Sequence, residues 1–462
     1  MTERVLMGRR VLTCPETEIT SENLVKVLRR ARRGHSVNSA DINYLYNYRR
    51  GYQPILDRQK DVRPEINNKI VENRADEIAT FKVGYLMGEP IQYVSRGGDD
   101  VSEDIQRLND FMFSESKEAS DLELADWFTV CGTAYRLELP NPTYGIDEEA
   151  ESPFNLYVLD PRYTFVVYSN RIERKPMLGC SYVMLEDGSE LSCIYTDTTY
   201  YEVKNGMIVT EVPHGLGDIP IIEYPANTAR LGAFEIVLPM LDAMNRVASN
   251  RLDAIEQFIQ ALMMFKGVDI EADDFKSLKD LGAIKVPPDG DIKYLVQELN
   301  QMETQTLVDY MYQTVLTICG MPNRNGGTST SDTGSAVIMR DGWSDAEARA
   351  KRSEMMFKLS EKRMLRLALR ICRDMCGMRL KASDIEIRFT RRNYENIQMK
   401  AQVLTTMLGC DKIHPRLAFA ACGMFPDPEL AYTESMAYAK EREDELVKSL
   451  EETDAPDGES DV

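Results

Sequence analysis

The sequence predicts an α+β fold that is mainly helical and built from several parts. Its 462 residues exceed what one hydrophobic core normally holds, so several domains or an elongated fold are expected. Apolar residues recur at helical spacing on either side of residues 133–225, where they alternate as in strands. The 43% hydrophobic and 28% charged residues are typical of a folded chain. No run of about 18 apolar residues occurs, so no membrane span is predicted.

The N-terminal part is predicted to be helical after a weakly patterned arm. One helix is expected over Ser21–Arg33, and Asp41 is a suitable cap for another that runs to about Arg50. A stronger helical pattern follows Asn67 and ends where Gly88 and Pro90 stop it. Two further helices are expected near Ser102–Met112 and Ser116–Val130.

The central region is predicted to form a tyrosine-rich antiparallel sheet that ends near Pro225. Turn residues such as Asp187-Gly188 and Asn205-Gly206 separate its alternating runs, and Asn-Gly between two such runs indicates a hairpin. The expected strands are Thr133–Leu139, Phe154–Leu159, Tyr163–Tyr168, Cys180–Leu185, Leu191–Thr196, Thr199–Val203 and Met207–Val212.

Two long amphipathic helices with a small insert between them follow the sheet. The first is expected over about Phe234–Phe265, with Pro239 in its first turn, and the second over about Val296–Cys319. One apolar stripe of such a pair can cover the partner helix, and a second stripe would then meet a neighbouring chain. The insert is expected to hold a helix at Ala272–Leu281 and strands at Ile284–Val286 and Ile292–Leu295.

The last third begins with a stretch rich in Gly, Ser, Thr and Asn that ends near Gly334, and this composition predicts flexibility. A third long helix is expected over Ser344–Met375. It carries nine Lys or Arg between Arg349 and Arg373, which form either a solvated face or a subunit interface. The remaining expected elements are a strand at Ile385–Phe389 and helices at Asn396–Leu408, Pro415–Cys422 and Pro428–Leu450.

No pattern typical of catalysis, cofactor binding or metal binding occurs in the sequence. It lacks a phosphate-binding P-loop, a GxSxG elbow, an HExxH motif and a GxGxxG turn after a strand. The nine Cys include no CxxC pair, which favours free thiols, and the three His are far apart. Acidic pairs such as Asp99-Asp100 are interpreted as loop or helix-start residues. We therefore expect no enzyme and no cofactor, although scattered catalytic groups leave an enzyme as an alternative.

The net charge of −20 argues against a protein that grips nucleic acid tightly through a basic surface. The charge is uneven, because residues 441–462 contain ten acidic and two basic residues. This acidic tail, from about Glu451, is expected to be disordered.

Three groups of residues resemble the portal proteins of siphophages, which are tailed bacteriophages. The likeness covers roughly Tyr44–Tyr432, and the order and spacing of the groups fit the family. The first group is Asn67–Val71 with Lys82–Ile91. The second is His214–Glu223, which leads into Asp242–Asn245 and Asn250–Asp253, and these resemble the start of the first stem helix. The third is Thr333-Gly334-Ser335-Ala336, in which Thr333 stands where the family usually has Ser.

The resemblance implies an elongated portal fold with a wing, a two-helix stem, a small α/β clip and a helical crown, assembled as a ring. On this map the parts are an N-terminal arm 1–40, wing 41–230, stem helix 231–266, clip 267–297, second stem helix 298–320, tunnel loop 321–342, wing helix and strand 343–400, crown 401–450 and a disordered acidic tail 451–462.

The resemblance also implies a function and partners. The ring, of twelve subunits in this family, would sit at one capsid vertex, nucleate head assembly and conduct double-stranded DNA during packaging and ejection. The clip would dock the terminase large subunit and later a head–tail adaptor, while the major capsid and scaffolding proteins surround the ring. Assembly would occur in the host bacterial cytoplasm and end in the virion, with no membrane involved. Twelve inner helices about 10 Å apart would leave a hole roughly 25–30 Å wide, which admits a duplex.

Two alternative functions remain. One is another structural head or adaptor protein without a DNA channel, although adaptors are usually shorter. The other is a packaging nuclease or ATPase, against which the missing P-loop and metal-binding motifs speak. The stem–insert–stem arrangement favours the conduit.

The resemblance assigns tentative sites to the tunnel loop and the clip. Lysines of the clip are equally compatible with ordinary surface positions, and residues 323–333 with a plain linker, although the apolar segment Ala336–Met339 after them favours a tunnel loop. A sliding duplex calls for few phosphate contacts, so a mostly acidic wall is expected to repel and centre it. The DNA-channel candidates are Arg324, Asn325, Thr328, Ser331, Arg340, Lys285 and Lys293, and the docking candidates are Asp273, Asp274, Lys276, Lys279 and Asp289.

Overall fold

The structure is a computed structural model that describes residues 8–96, 102–259, 262–266, 291–295, 301–322, 342–391, 397–425 and 428–453. The described residues contain ten α-helices and thirteen strands, which agrees with the predicted mixed, mainly helical class. The chain divides into two compact units. The first comprises Met1–Leu86 and Phe111–Arg379, and the second comprises Met87–Asp110 and Leu380–Val462.

The first unit begins with strand β1 (Leu12–Cys14) and helix α1, which runs without interruption over Ser21–Arg49. The prediction of two separate helices is therefore wrong. Asp41 lies buried within α1 instead of capping a second helix. Gly34 does not break the helix, and its missing side chain makes room for β1, because a Cβ there would lie 2.7 Å from Leu12 Cδ2.

A short 3-10 helix, Pro54–Asp57, precedes helix α2 (Arg74–Leu86). The helix predicted to follow Asn67 therefore starts later than expected, because residues 67–73 are extended. Helices α3 (Ser102–Ser114) and α4 (Lys117–Cys131) confirm the next two predictions.

The seven predicted strands are confirmed with small shifts in their ends. They are β3 (Thr133–Pro140), β4 (Phe154–Leu159), β5 (Thr164–Ser169), β6 (Pro176–Met184), β7 (Glu190–Tyr195), β8 (Thr199–Lys204) and β9 (Met207–Pro213), and β10 (Ile221–Pro225) follows them.

These strands form two sheets, so the prediction of a single antiparallel sheet is wrong. One has the order β1-β5-β6-β7-β8-β9, in which β1 and β5 pair in parallel, and the other has the order β10-β3-β4. Val166 of the larger sheet packs with Tyr135, Ile219 and Ile221 of the segments opposite it. Gly179 permits this close approach, because a Cβ there would lie 2.7 Å from Ile221 Cβ. The other face of the larger sheet packs on α1.

Helix α5 (Leu238–Ile259) follows a 3-10 turn at Glu235–Val237, and Pro239 lies in its first turn as predicted. The predicted helix to Phe265 is too long, because Leu262–Lys266 forms strand β11. Its antiparallel partner is β12 (Asp291–Leu295), which confirms the strand predicted at Ile292–Leu295. The residues of β11 form an apolar run that also fits a helix, and their backbone pairing with β12 makes them a strand. The other elements predicted in the insert, Ala272–Leu281 and Ile284–Val286, lie outside the described residues.

Helix α6 (Gln301–Cys319) and the 34-residue helix α7 (Trp343–Cys376) complete the first unit. Three arginines of α7 hold neighbouring segments and are not part of a uniformly solvated basic face. Arg349 Nη1 donates to Ile318 O at 2.7 Å, Arg363 Nη2 donates to Asp218 Oδ1 at 2.8 Å, and Arg370 Nη1 donates to Leu216 O.

A cluster of ionisable side chains is buried between β3, α4 and α7. Lys117 Nζ lies 2.5 Å from Asp121 Oδ2 and 2.7 Å from Glu361 Oε1. Arg136 Nη2 lies 2.5 Å from Asp121 Oδ1. Both carboxyl oxygens of Glu138 are buried without a hydrogen-bond partner among the described residues. Burial raises the pKa of Glu138 well above its ordinary value, although the nearby charge of Arg136 acts in the opposite direction.

In the second unit, strands β2 (Gln92–Ser95) and β13 (Ile385–Arg388) form an antiparallel pair. The predicted strand at Ile385–Phe389 and the three helices after it are confirmed. Those helices are α8 (Ile397–Leu408), α9 (Pro415–Cys422) and α10 (Pro428–Thr453). Residues 451–453 of the predicted disordered tail belong to α10, so that prediction is wrong at its start, and residues 454–462 lie outside the described residues.

Candidate functional site

Helices α5 and α6 form an antiparallel pair whose base is buried in the core of the first unit. The start of α5, with Leu241 and Met244, and the end of α6, with Val315 and Cys319, pack against α1, α2 and α4. Farther along, Arg251 Nη1 of α5 donates to Gln305 Oε1 of α6 at 2.7 Å. The 22 residues of α5 extend about 33 Å, so much of the pair projects beyond its buried base.

The chain passes from α5 to α6 through the antiparallel strands β11 and β12. Lys293 lies in β12, opposite Met264 in the strand register. The predicted strand-containing insert therefore begins and ends on a paired backbone.

An extended segment runs along α5 and binds it through a polar ladder. Four helical residues advance about 6 Å and two extended residues advance about 6.6 Å, so acceptors four apart on α5 match every second amide of the segment. All three acceptors are buried. The ladder consists of Asn68 N donating to Asp253 Oδ1 at 2.8 Å, Ile70 N to Ser249 Oγ at 2.9 Å and Glu72 N to Asn245 Oδ1 at 2.8 Å.

Further polar contacts tie the ladder to the end of α1. Asn245 Nδ2 donates to Gln53 Oε1, and Gln53 Nε2 donates to Asn73 Oδ1 at 3.0 Å. Asn73 Nδ2 donates to Arg49 O at 2.7 Å. Tyr48 of α1 also reaches α5, because its hydroxyl donates to Asp242 Oδ1 at 2.8 Å. These contacts fix the rotation of α5 about its own axis.

Asp253 is the charged member of the ladder. Its carboxylate lies 3.1 Å from Arg58 Nη2 and 3.0 Å from Lys60 Nζ, and it also accepts from the Asn68 side chain at 2.9 Å. Although burial acts in the opposite direction, the hydrogen bonds from Asn68 and Lys60 hold the pKa of Asp253 below its ordinary value. Asp253 therefore stays ionised at neutral pH.

Replacing Asp253 with Ala is expected to lower the free energy of unfolding by about 3 kcal/mol, because it leaves two cations and a buried amide without their acceptor. Urea denaturation followed by circular dichroism measures the change. Glu256→Ala is the matched control, since it removes the same charge one turn away, and we expect it to cost less than about 0.5 kcal/mol. Equal losses in the two variants would show that the ladder adds nothing specific.

The outward side of α6 carries apolar side chains that the described chain leaves exposed. Leu307, Tyr310 and Ile318 are 48%, 66% and 37% exposed, and at 100° per residue they lie within an arc of about 80°. We call these three residues the α6 stripe. Met311 and Val315, on the inner side, contact the core. On the same wheel Met311 lies 20° from Ile318, so the α6 stripe borders the buried side of the helix and extends its apolar surface outward.

The helix pair is acidic. Helix α5 contains three acidic and two basic residues, and α6 contains two acidic residues and no basic one, which gives a net charge of −3. With Arg58 and Lys60, which pair with Asp253, the sum is −1, so the pair carries no excess positive charge that would bind a polyanion tightly.

Of the site residues predicted from the sequence, only Lys293 falls within the described residues, in β12. Arg324, Asn325, Thr328, Ser331, Arg340, Lys285, Asp273, Asp274, Lys276, Lys279 and Asp289 lie outside them. The sequence reasoning missed the ladder. A signal was present, since Asn245, Ser249 and Asp253 are polar residues four apart, which places them in one row along the helix.

The described residues also limit the chemistry of the site. They contain no group of three or more His, Cys, Asp or Glu that could hold a metal ion. No helix in this part of the chain is long and apolar enough to cross a membrane.

Comparison with protein families gives one match that covers most of the chain. The model of the family described as phage portal protein, SPP1 Gp6-like, matches residues 30–449. In a comparison with curated proteins, no sequence matches the chain.

Proposed function

Because the chain belongs to the SPP1 Gp6-like family of phage portal proteins, we propose that it forms a ring that conducts double-stranded DNA into and out of the viral head. The family is structural and not enzymatic, and it places the protein in a homo-oligomeric ring at a capsid vertex of the virion. DNA conduction, the number of subunits and the docking partners belong to the proposal.

The α6 stripe is the observation that carries this proposal. The base of the helix pair packs in the core of the first unit, and the described residues leave the side chains of the α6 stripe about half exposed. A neighbouring subunit that covers it with a different surface would make a heterologous contact, which closes into a ring when the rotation fits. Fully burying a leucine-sized side chain contributes about 1.5–3 kcal/mol, and because these three are already about half covered, each adds roughly half of that.

The charge of the helix pair favours a role in which DNA slides past it and is not bound tightly. Each neutralised phosphate adds salt-dependent affinity, so a wall that lets a duplex slide needs few basic contacts. A net charge of −3 on the described part of each pair fits this requirement. The insert between β11 and β12 would dock the terminase large subunit and then the head–tail adaptor, and the capsid and scaffolding proteins would surround the ring.

Particle imaging of the purified protein tests the proposal. We expect rings with a central hole from the natural chain. Leu307→Glu is expected to yield monomers, because it places a charge in the proposed contact. Ile172→Glu is the control and should still form rings, since Ile172 is fully exposed elsewhere in the first unit. Rings from the Leu307 variant would rule out the α6 stripe as the contact, and monomers of the natural chain at high concentration would contradict the conduit.

A further inference from the structure

The first half of α1 carries four exposed basic side chains, Lys26, Arg29, Arg30 and Arg33, which we call the α1 basic stripe. Their spacing of three, one and three residues places them on one face of the helix over about 10 Å. No acidic residue occurs between Lys26 and Arg33. None of the four makes an ion pair with another described residue of the chain.

The fold turns this stripe outward. Leu24, Val27, Leu28 and Ala31 are buried against the six-stranded sheet, and at 100° per residue the basic residues are centred on the opposite side of the helix. Arg32, between them, is used within the fold. Its Nη2 lies 2.5 Å from Glu190 Oε2 and its guanidinium stacks on the Tyr182 ring.

The stripe contrasts with the charge of the whole chain. Residues 1–50 contain ten basic and five acidic residues, a net of +5, whereas the complete chain has a net charge of −20. Because the Debye length is about 10 Å at 0.1 M salt, a ligand at the stripe senses these four cations together with the carboxylate of Glu22, one turn before Lys26 on the same face, which leaves a local net charge of +3.

The basic residues of α7 form no comparable surface. Its exposed cations, such as Arg352 and Arg366, are spread over more than three turns and interleave with the exposed apolar side chains Met355 and Leu359. Lys351 lies 3.7 Å from Glu347. These residues therefore provide a control of the same charge on the same unit.

The stripe also lies away from the helix pair. Helix α1 is continuous, and Leu45 near its end packs in the core at the base of α5 and α6. The centre of the stripe is about 23 Å from Leu45 along the helix. A ligand at the stripe is thus separate from anything that passes along the helix pair.

We propose that the α1 basic stripe binds the phosphate backbone of double-stranded DNA at a site outside the ring's hole. Three of its four cations are arginines, whose guanidinium groups bind phosphate oxygens in pairs. A duplex presents about one negative charge per 1.7 Å of its axis, so 10 Å of stripe faces about six charges. The stripe is complete within one chain and makes no base contacts, so binding is independent of DNA sequence.

The test measures binding of closed circular duplex DNA, which cannot thread through a closed ring, over a range of salt concentrations. Neutralising the stripe with K26Q, R29Q, R30Q and R33Q is expected to reduce the slope of log affinity against log salt by about 3–4 and to weaken binding at 0.1 M salt at least about 30-fold. The control variant, with K351Q, R352Q, K362Q and R366Q, is expected to retain the slope and most of the affinity. Gln favours helix, so circular dichroism should be unchanged in both variants.

Three results would overturn the proposal. The first is an equal loss in the two variants, which would indicate a general charge effect. The second is binding of linear but not circular DNA, which would leave the conduit intact and remove the outer site. The third is stripe-dependent binding of a poly-glutamate peptide without binding of circular DNA, which would identify an acidic protein as the partner. If the protein forms no rings but still binds circular DNA through the α1 basic stripe, the result would support this site and contradict the proposed DNA-conducting ring.

Discussion

Replacing Arg9 with Met is expected to lower the free energy of unfolding by about 3–5 kcal/mol. Arg9 Nη2 lies 2.6 Å from Glu235 Oε1, and both side chains are almost completely buried. Loss of the cation leaves the Glu235 carboxylate buried, with the amides of Gly8 and Gly232 as its remaining donors among the described residues. Urea denaturation measures the change, and we expect a smaller effect on ring formation than on stability.

Arg10→Met provides the matched control, since it removes the same charge from the next, exposed residue and should cost less than about 1 kcal/mol. The double variant Arg9→Met with Glu235→Gln should recover part of the loss, because it also removes the stranded charge. If Arg9→Met and Arg10→Met lower the free energy of unfolding equally, the buried pair of Arg9 and Glu235 does not anchor the N-terminal segment.

Glu361→Gln is expected to cost about 3 kcal/mol or more, since it removes one of the two carboxylates, Asp121 and Glu361, that lie within 4 Å of the buried cations of Lys117 and Arg136. Tyr224 also loses the carboxylate oxygen to which its hydroxyl donates at 2.7 Å. Chemical denaturation at pH 7 measures the loss. A cost below about 1 kcal/mol would mean that the cluster does not depend on its charge balance.

Glu138→Gln is the companion variant and should cost little near pH 4, where the Glu138 carboxyl is mostly protonated in the folded and the unfolded chain. A carboxyl whose pKa is raised in the folded state stabilises the fold fully below its unfolded pKa of about 4.3. That contribution is lost as the pH rises towards the folded value. The natural chain should therefore lose stability across this range relative to Glu138→Gln, and parallel pH profiles would show that Glu138 is charged.

Elements with strong local signals could be predicted from the sequence. Asn205 and Gly206 both adopt positive φ angles, 54° and 77°, as the hairpin between β8 and β9 requires. Pro415 begins α9 directly after its capping residue His414, whose side chain accepts from Arg416 N. In these cases residues that are close in sequence determine the local structure, so periodicity or turn residues are enough to predict it.

Elements that depend on distant partners could not be predicted. Residues 67–73 fit a helical pattern, but their amides bind acceptors on α5 more than 170 residues away in the chain. The segment Leu262–Lys266 is apolar enough for a helix, and only its pairing with β12 makes it a strand. The helix pair of the candidate site was therefore predictable, whereas the ladder that orients it was not. The predicted channel and docking residues remain predictions.

The buried pair of Arg9 and Glu235 has a consequence for synthesis. The two residues are 226 positions apart, and β1 pairs with β5 more than 150 positions later. At about 5–20 residues per second, Arg9 waits roughly 10–45 s after its own translation before its partner is made. Arg9 and β1 thus stay without their native partners while more than 150 further residues are translated, and a chaperone that binds this segment acts before its long-range contacts form.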